Sequence, residues 1–282
     1  MTTRLAGTAT HFLPFNKGCD GGAGNPPDPV GRTYRTAYLW EEVLQRDSLL
    51  DLLARFIHVQ NEEKRDDQGR KVKTETMIFP RYHQLQAVRL LVNSAQREGV
   101  GNNYLVEHSA GSGKSNTIGW LAHRLSSLHN AENQRIFDSV IVVIDRIVLD
   151  QQLQDTIYQF EHKFGVVQKI DKNSRQLAEA LENAVPIIIT TLQKFPFVSK
   201  QLLKMAEERG VNGTGSLSTR HCAVIIDEAH SSQGGDTAQP NSKEFLVVKI
   251  CVRKQRDVQR RKVKTIWKNC FTKWLEEANR LT

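Results

Sequence analysis

Residues 109–115, with the sequence Ser-Ala-Gly-Ser-Gly-Lys-Ser, decide the predicted fold of this chain. They follow a short apolar strand predicted at 104–106 and precede a helix predicted at 116–129. A glycine-rich loop in that position, ending in Lys-Ser, is typical of a phosphate-binding loop. Its glycines let backbone N–H groups turn into a concave anion site, and the following helix adds the positive end of its dipole. The stretch therefore predicts a P-loop within an α/β domain.

The residue types of the loop predict a role for each position. Lys114 is expected to reach the outer phosphates as a point charge, and the Ser115 hydroxyl to bind Mg²⁺. The strict motif has glycine where this chain has His108; helicase-type loops relax that position, so the departure indicates a subclass. The alternative, a Gly/Ser-rich turn with a solvated lysine, is disfavoured by the strand–loop–helix setting. The predicted nucleotide-binding residues of the loop are Ser109, Ala110, Gly111, Ser112, Gly113, Lys114 and Ser115.

A second motif, Ala-Val-Ile-Ile-Asp-Glu-Ala-His at 223–230, ends a predicted buried strand with two adjacent carboxylates. Asp227 is expected to hold Mg²⁺, usually through water. Glu228 would orient or deprotonate the attacking water, and His230 would sense the γ-phosphate. The alternative is a strand that ends in a charged helix cap. The apolar residues before the acidic pair, the Ala-His after it and the upstream P-loop favour a catalytic site for ATP and Mg²⁺, with Glu228, Asp227 and Lys114 as its catalytic residues.

Short apolar runs alternate with helical patterns through the middle of the chain, notably at 140–144, 187–189 and 223–226. Apolar strands separated by helices indicate a parallel sheet covered on both faces. Right-handed crossovers then give a RecA-like α/β layer whose ligand lies at the carboxyl ends of the strands. A small helical and linker region is predicted to precede this layer, with a helix within 44–57 and an exposed turn or short hairpin within 61–76.

Weaker signals surround the two motifs. Gln84 lies upstream of the P-loop, where helicase-like motors place a glutamine that contacts adenine, although a surface glutamine at a helix start is equally compatible with the sequence. Arg146, Thr190 and Thr191 follow predicted strands and are candidates for contacts with DNA phosphates. Ordinary caps and turns remain the alternative for all three.

Composition restricts the class of protein and its compartment. The chain has no apolar run long enough to span a membrane. Its four cysteines are widely spaced, which indicates free thiols in a reducing cytoplasm. Its net charge of +8 equals the charge of 249–268 alone, where nine Lys or Arg residues face one acid. The basic character therefore belongs to one segment near the carboxyl terminus and does not identify the function of the core.

These motifs resemble the restriction (R) subunit of type I restriction–modification enzymes. The resemblance implies a DNA-translocating superfamily 2 ATPase of the DEAH type, an ATP-dependent type I site-specific deoxyribonuclease that acts on double-stranded DNA beside modification and specificity subunits. The stretches that carry it are THFLPFNKGCDGGAGNP (10–26), YLWEEVLQRDSLLDLLARFIH (38–58), FPRYHQLQAV (79–88), VEHSAGSGKSNTI (106–118), VIDRIVLDQQL (143–153) and VIIDEAHSSQGG (224–235).

The resemblance stops at about residue 238, which sets the expected domain organisation. We expect a linker and helical segment at 1–78, a first RecA-like motor domain at 79–238 and an atypical basic tail at 239–282. We expect such a chain to be a fragment without the nuclease and second motor domains, ended by a frameshift or a mispredicted gene boundary, with little ATPase and no nuclease activity of its own. The alternatives are a genuine basic arm that binds nucleic acid, an inert nucleotide-binding remnant, or another superfamily 2 helicase or remodeller.

Overall fold

The computed structural model describes residues 2–4, 8, 10–12, 14–20, 22–27, 31, 34–65, 71–109, 111–144, 147–160, 165–170, 173–191, 201, 220–227 and 243–251. One turn of π-helix covers Leu39–Val43. The helices are α1 (Arg46–Arg55), α2 (Tyr82–Glu98), α3 (Lys114–Ser126), α4 (Ile147–Gln159) and α5 (Ser174–Glu182). The strands are β1 (Thr2–Arg4), β2 (His11–Phe12), β3 (His58–Arg65), β4 (Lys71–Ile78), β5 (Asn103–Ser109), β6 (Ser139–Ile144), β7 (Val167–Lys169), β8 (Ile187–Thr191), β9 (Cys222–Asp227) and β10 (Lys243–Cys251).

The main sheet has six strands in the order β5-β10-β9-β6-β8-β7. Strands β9, β6, β8 and β7 pair in parallel, with Val142 opposite both Ile189 and Ile225. β10 is antiparallel to both of its neighbours, so β5 runs in the same direction as the four parallel strands. This arrangement, with α3, α4 and α5 between the successive strands from β5 to β8, confirms the predicted RecA-like α/β fold.

Alternate side chains of the parallel strands face two different layers of helices. Val140, Val142 and Ile144 on β6 join a large core with residues of α2, α3 and α4, whereas Ile141 and Val143 join a smaller core with α5. All six residues of β6 are buried, as are all five of β8. Strands covered on both faces favour apolar residues at successive positions, which explains the apolar runs 140–144 and 187–189 in the sequence.

β10 is the element that the sequence analysis missed. No strand was predicted after residue 238, yet 243–251 pairs along both sides, with Leu246 opposite Val106 on β5 and Asp227 on β9. The segment carries Phe-Leu-Val-Val and Ile-Cys, a composition that favours a strand. It lies in the expected basic tail because the resemblance stops at about residue 238, before the strand begins.

The region before the main sheet forms its own small elements. β3 and β4 pair from His58 opposite Ile78 to Arg65 opposite Lys71, so a hairpin is present where an exposed turn or hairpin was predicted. Residues 66–70, which join the two strands, lie outside the described residues. β1 and β2 form a separate antiparallel pair. None of the helices in the described part of the chain is long and apolar enough to cross a membrane.

A cluster of aromatic rings attaches the segment before the helices to the start of α2. Phe15 packs edge-on against Phe79 and Tyr82, with ring centroids 6.0 and 5.7 Å apart, and Tyr38 packs on Tyr82 at 5.3 Å. The Tyr38 hydroxyl donates to the Phe15 carbonyl. The Lys17 ammonium lies 4.8 Å from the Tyr38 ring centroid and pairs with Glu42. The cluster therefore fixes where α2 begins.

A single carboxylate, Asp51, connects α1 to both α2 and α3. It accepts from Arg55 at 3.0 Å, from Arg89 of α2 at 3.2 Å and from Arg124 of α3 at 2.8 Å. The Asp51 and Arg124 side chains are only 17% and 18% exposed, so this pair is poorly screened by water. Burial lowers the pKa of the Arg124 guanidinium and the Asp51 charge opposes that shift. The charge of Asp51 thus holds α1 against α2 and α3.

Replacing Asp51 by Asn should destabilise the fold. The change leaves three guanidinium groups without their counter-charge, and loss of hydrogen bonds to charged groups that are partly buried costs about 2 kcal/mol. The free energy of unfolding can be measured by urea denaturation followed through the fluorescence of Trp120, which is 1% exposed. Asp47→Asn, an exposed position of the same helix, is the control and should have a much smaller effect. Equal losses in the two variants would contradict the assigned role of Asp51.

Candidate nucleotide-binding site

The predicted phosphate loop joins the end of β5 at Ser109 to the start of α3 at Lys114. Gly111 and Gly113 have φ angles of 72° and 84°, a left-handed backbone conformation that residues with a Cβ atom rarely adopt. The two glycines therefore allow the chain to reverse between strand and helix within four residues. Ala110, also assigned to the loop, lies outside the described residues.

Lys114 and Asp227 meet, although they are distant in sequence. The Lys114 ammonium lies 2.8 Å from an Asp227 carboxylate oxygen, and the two side chains are 8% and 13% exposed. Asp227 is the last residue of β9, and β5 and β9 are separated only by β10. Two strand spacings amount to about 10 Å, a gap that an extended lysine side chain and a carboxylate can close. The structure thus brings together the two predicted motifs.

The residues at this junction fit a bound magnesium ion and phosphates. Ser115 is half-buried in the first turn of α3, next in sequence to the lysine that contacts Asp227. Hydroxyl and carboxylate oxygens are hard ligands of the kind that Mg²⁺ prefers. The N-terminus of a helix of 13 residues supplies backbone N–H groups and a positive dipole end. Glu228 and His230, the other predicted residues of the second motif, lie outside the described residues.

Gln84 is in contact with the loop. Its side-chain amide nitrogen donates to the Gly113 carbonyl at 2.8 Å and to the Ser112 carbonyl at 3.2 Å. Its amide oxygen accepts from the backbone N–H of Arg81 at 2.8 Å. The residue is 3% exposed. Both ends of the amide therefore have protein partners in this structure, and the predicted contact with an adenine base stays a prediction.

His83 also contacts the loop, and the sequence analysis assigned it no role. Its Nε2 lies 3.2 Å from the Ser112 carbonyl oxygen. Burial lowers the pKa of His83 below its usual range; the Ser112 carbonyl opposes the shift and the charge of Arg81 adds to it. A carbonyl oxygen can only accept, so Nε2 carries the proton of the neutral ring. In the sequence, only the position of His83 beside Gln84 at the start of a helix could have indicated this contact.

The candidate DNA-contacting residues are not brought to the surface of the site. Thr190 is 2% exposed and Thr191 is 7% exposed, both on the buried strand β8. Thr190 lies on the face of the sheet that carries α5, because its neighbour Ile188 belongs to that core. Arg146 lies outside the described residues. Contacts of these three residues with DNA phosphates stay predictions.

Comparison with known proteins finds similarity to endonuclease subunits of type I restriction enzymes. The chain is 31% identical over 160 residues to the type I restriction enzyme SsaAORF53P endonuclease subunit of Staphylococcus saprophyticus. That alignment covers 57% of this chain and 15% of the subunit. It is 26% identical over 206 residues to the type I restriction enzyme HindI endonuclease subunit of Haemophilus influenzae, covering 72% of this chain and 18% of that subunit. The predicted resemblance to R subunits is confirmed, and the chain spans less than a fifth of the length of these relatives.

A family model defines the shared domain. The model described as SWI2/SNF2 ATPase matches residues 83–252, more than half of the chain. That range begins at His83, contains the phosphate loop and Asp227, and ends just after β10. The fold, the junction of the two motifs and this match agree, and the chain belongs to the SWI2/SNF2 ATPase family.

Proposed function

We propose that this chain binds ATP and Mg²⁺ at the carboxyl edge of the sheet and is the ATP-hydrolysing motor part of a type I restriction endonuclease R subunit. The observation that carries the proposal is the 2.8 Å ion pair between Lys114 and Asp227. It joins the predicted phosphate loop to the predicted magnesium-binding strand within one buried pair. A turn with a solvated lysine would not place its ammonium group there.

Each side chain of the junction has a task in phosphoryl transfer. The loop N–H groups and the dipole of α3 receive the phosphates, and Lys114 exchanges its bond with Asp227 for the outer phosphate oxygens. Ser115 and Asp227 would hold Mg²⁺, which when bound would supply positive charge against the charge that develops on the phosphates. Glu228, which follows Asp227 in sequence, orients or deprotonates the attacking water, and His230 senses the γ-phosphate.

The named relatives support a proposal for the substrates and partners of the complete subunit. Those proteins are endonuclease subunits of type I restriction enzymes. By that similarity the parent protein couples ATP hydrolysis to translocation and cleavage of double-stranded DNA, together with modification and specificity subunits in the cytoplasm. Arg146, Thr190 and Thr191 remain the candidates for DNA contacts, which for the two threonines requires exposure of side chains that are now buried.

Lys114→Ala should weaken ATP binding. Loss of one charge-assisted contact costs about 1.5–3 kcal/mol, which corresponds to roughly ten- to hundredfold in Kd. The affinity can be measured by titration with a fluorescent ATP analogue in the presence of Mg²⁺. Lys169→Ala, in the strand at the far edge of the same sheet, is the matched control and should leave Kd unchanged. Unchanged affinity in Lys114→Ala would refute the loop assignment.

Glu228→Gln should stop hydrolysis while leaving ATP affinity intact, because the amide cannot accept a proton from water but keeps the size of the side chain. Single-turnover hydrolysis of radiolabelled ATP with enzyme in excess, with and without duplex DNA, detects even slow chemistry. Hydrolysis that persists in the variant contradicts the role of Glu228. Hydrolysis missing from both proteins, with ATP binding retained, would make the chain a nucleotide-binding remnant.

A further inference from the structure

β10 begins at the edge of the sheet where the phosphate loop and Asp227 lie. The strand is antiparallel to both β5 and β9, so its first residue, Lys243, is at the edge where those two strands end. Lys243 pairs with Ser109, the last residue of β5, at which the predicted loop starts. Directly opposite residues of an antiparallel pair have Cα atoms about 5 Å apart. The register therefore places a lysine beside the start of the phosphate loop.

At this edge β10 and β5 extend beyond the end of β9. Leu246 lies opposite Asp227, the last residue of β9, and Lys243 lies three residues before Leu246. Three residues of strand put the Lys243 backbone about 10 Å beyond Asp227 along the strand direction, level with Ser109. In α/β sheets of this kind the ligand lies outside the carboxyl ends of the parallel strands. Lys243 is thus at the level expected for the bound phosphates.

The charges already present in the loop favour a second cation. Lys114 is the only charged residue of 109–115, and its ammonium is paired with Asp227. These two charges cancel, so the pair offers a phosphate ligand no net positive charge. Glu244 follows Lys243, but residues alternate between the faces of a strand, so Glu244 belongs to the face that Asp227 shares and Lys243 does not. Lysine is a compact cation on a flexible chain, which suits it to bind phosphate as a point charge.

We propose that Lys243 binds the triphosphate as a second cation beside Lys114. The inference rests on the proposed binding of ATP at this loop. It assigns a function to the first residue of a strand that was expected to be part of the basic tail. The alternative is a lysine that meets only solvent at the end of a strand.

The same strand supplies a matched control. Lys249 pairs with Asn103, the first residue of β5, so it lies toward the opposite edge of the sheet. Six residues of strand separate the backbones of the two lysines by about 20 Å. Replacing either lysine removes the same charge from the same strand, and only Lys243 lies beside the loop.

The test measures how much Lys243 contributes to phosphate binding in the full chain. Lys243→Met keeps the length of the side chain and removes its charge. Kd for ATP and for inorganic tripolyphosphate, each with Mg²⁺, can be obtained by competition against a fluorescent ATP analogue. We expect Lys243→Met to raise both Kd values about tenfold, because the phosphates that the two ligands share lose one charge-assisted contact. Lys243→Arg should keep both affinities close to wild type, since a guanidinium also binds phosphate.

Lys249→Met should leave both affinities unchanged. Thermal unfolding shows whether each variant is folded, and Lys243→Gln replaces Lys243→Met if the latter is not. Equal losses in Lys243→Met and Lys249→Met would overturn the inference in favour of a general charge effect. Unchanged affinity in Lys243→Met, or a loss confined to ATP, would also overturn it. If the wild-type chain binds neither ligand, the proposed function fails instead.

Discussion

The candidate site depends on β5 and β9 running in the same direction. Because both strands point their carboxyl ends at one edge of the sheet, the loop after β5 and the acid that ends β9 come together there, and Lys114 reaches Asp227 at 2.8 Å. If β9 ran the opposite way, Asp227 would lie about 17 Å away at the other edge, given the rise per residue of a six-residue strand. The direction of these two strands therefore determines where the site lies, whichever side chains occupy it.

Much of this arrangement could be predicted because its signals are local. The P-loop is a continuous stretch whose residue types encode a turn, a helix start and a charge. β6 and β8 contain the apolar runs 140–144 and 187–189, and every residue of both strands is buried. Such runs occur where both faces of a strand are covered, so they predict a central strand and, with intervening helices, parallel pairing. The edge at which ligands bind follows from that pairing.

The unpredicted features are those in which the partner is distant in sequence. β10 lies between β5 and β9, and nothing in residues 243–251 specifies an antiparallel strand within a sheet that the sequence predicts to be parallel. Gln84 had a plausible local interpretation, but its partners Ser112 and Gly113 lie 28 and 29 residues further along the chain. The donor was visible in the sequence, whereas the acceptor was set by how α2 packs on the loop.

The helical unit before the domain also bears on the phosphate site, through α3. That helix begins at Lys114, and near its other end Arg124 binds Asp51 at 2.8 Å, while the Trp120 indole donates to the Phe56 carbonyl at 2.9 Å. Lys114 and Arg124 are about 15 Å apart along the axis. A tilt of about 10° around the Arg124 end would displace Lys114 by about 2.6 Å, nearly the length of a hydrogen bond. Fixing the far end of α3 is therefore a condition for placing Lys114 correctly at the near end, and α1 contributes to the site through its contact with α3.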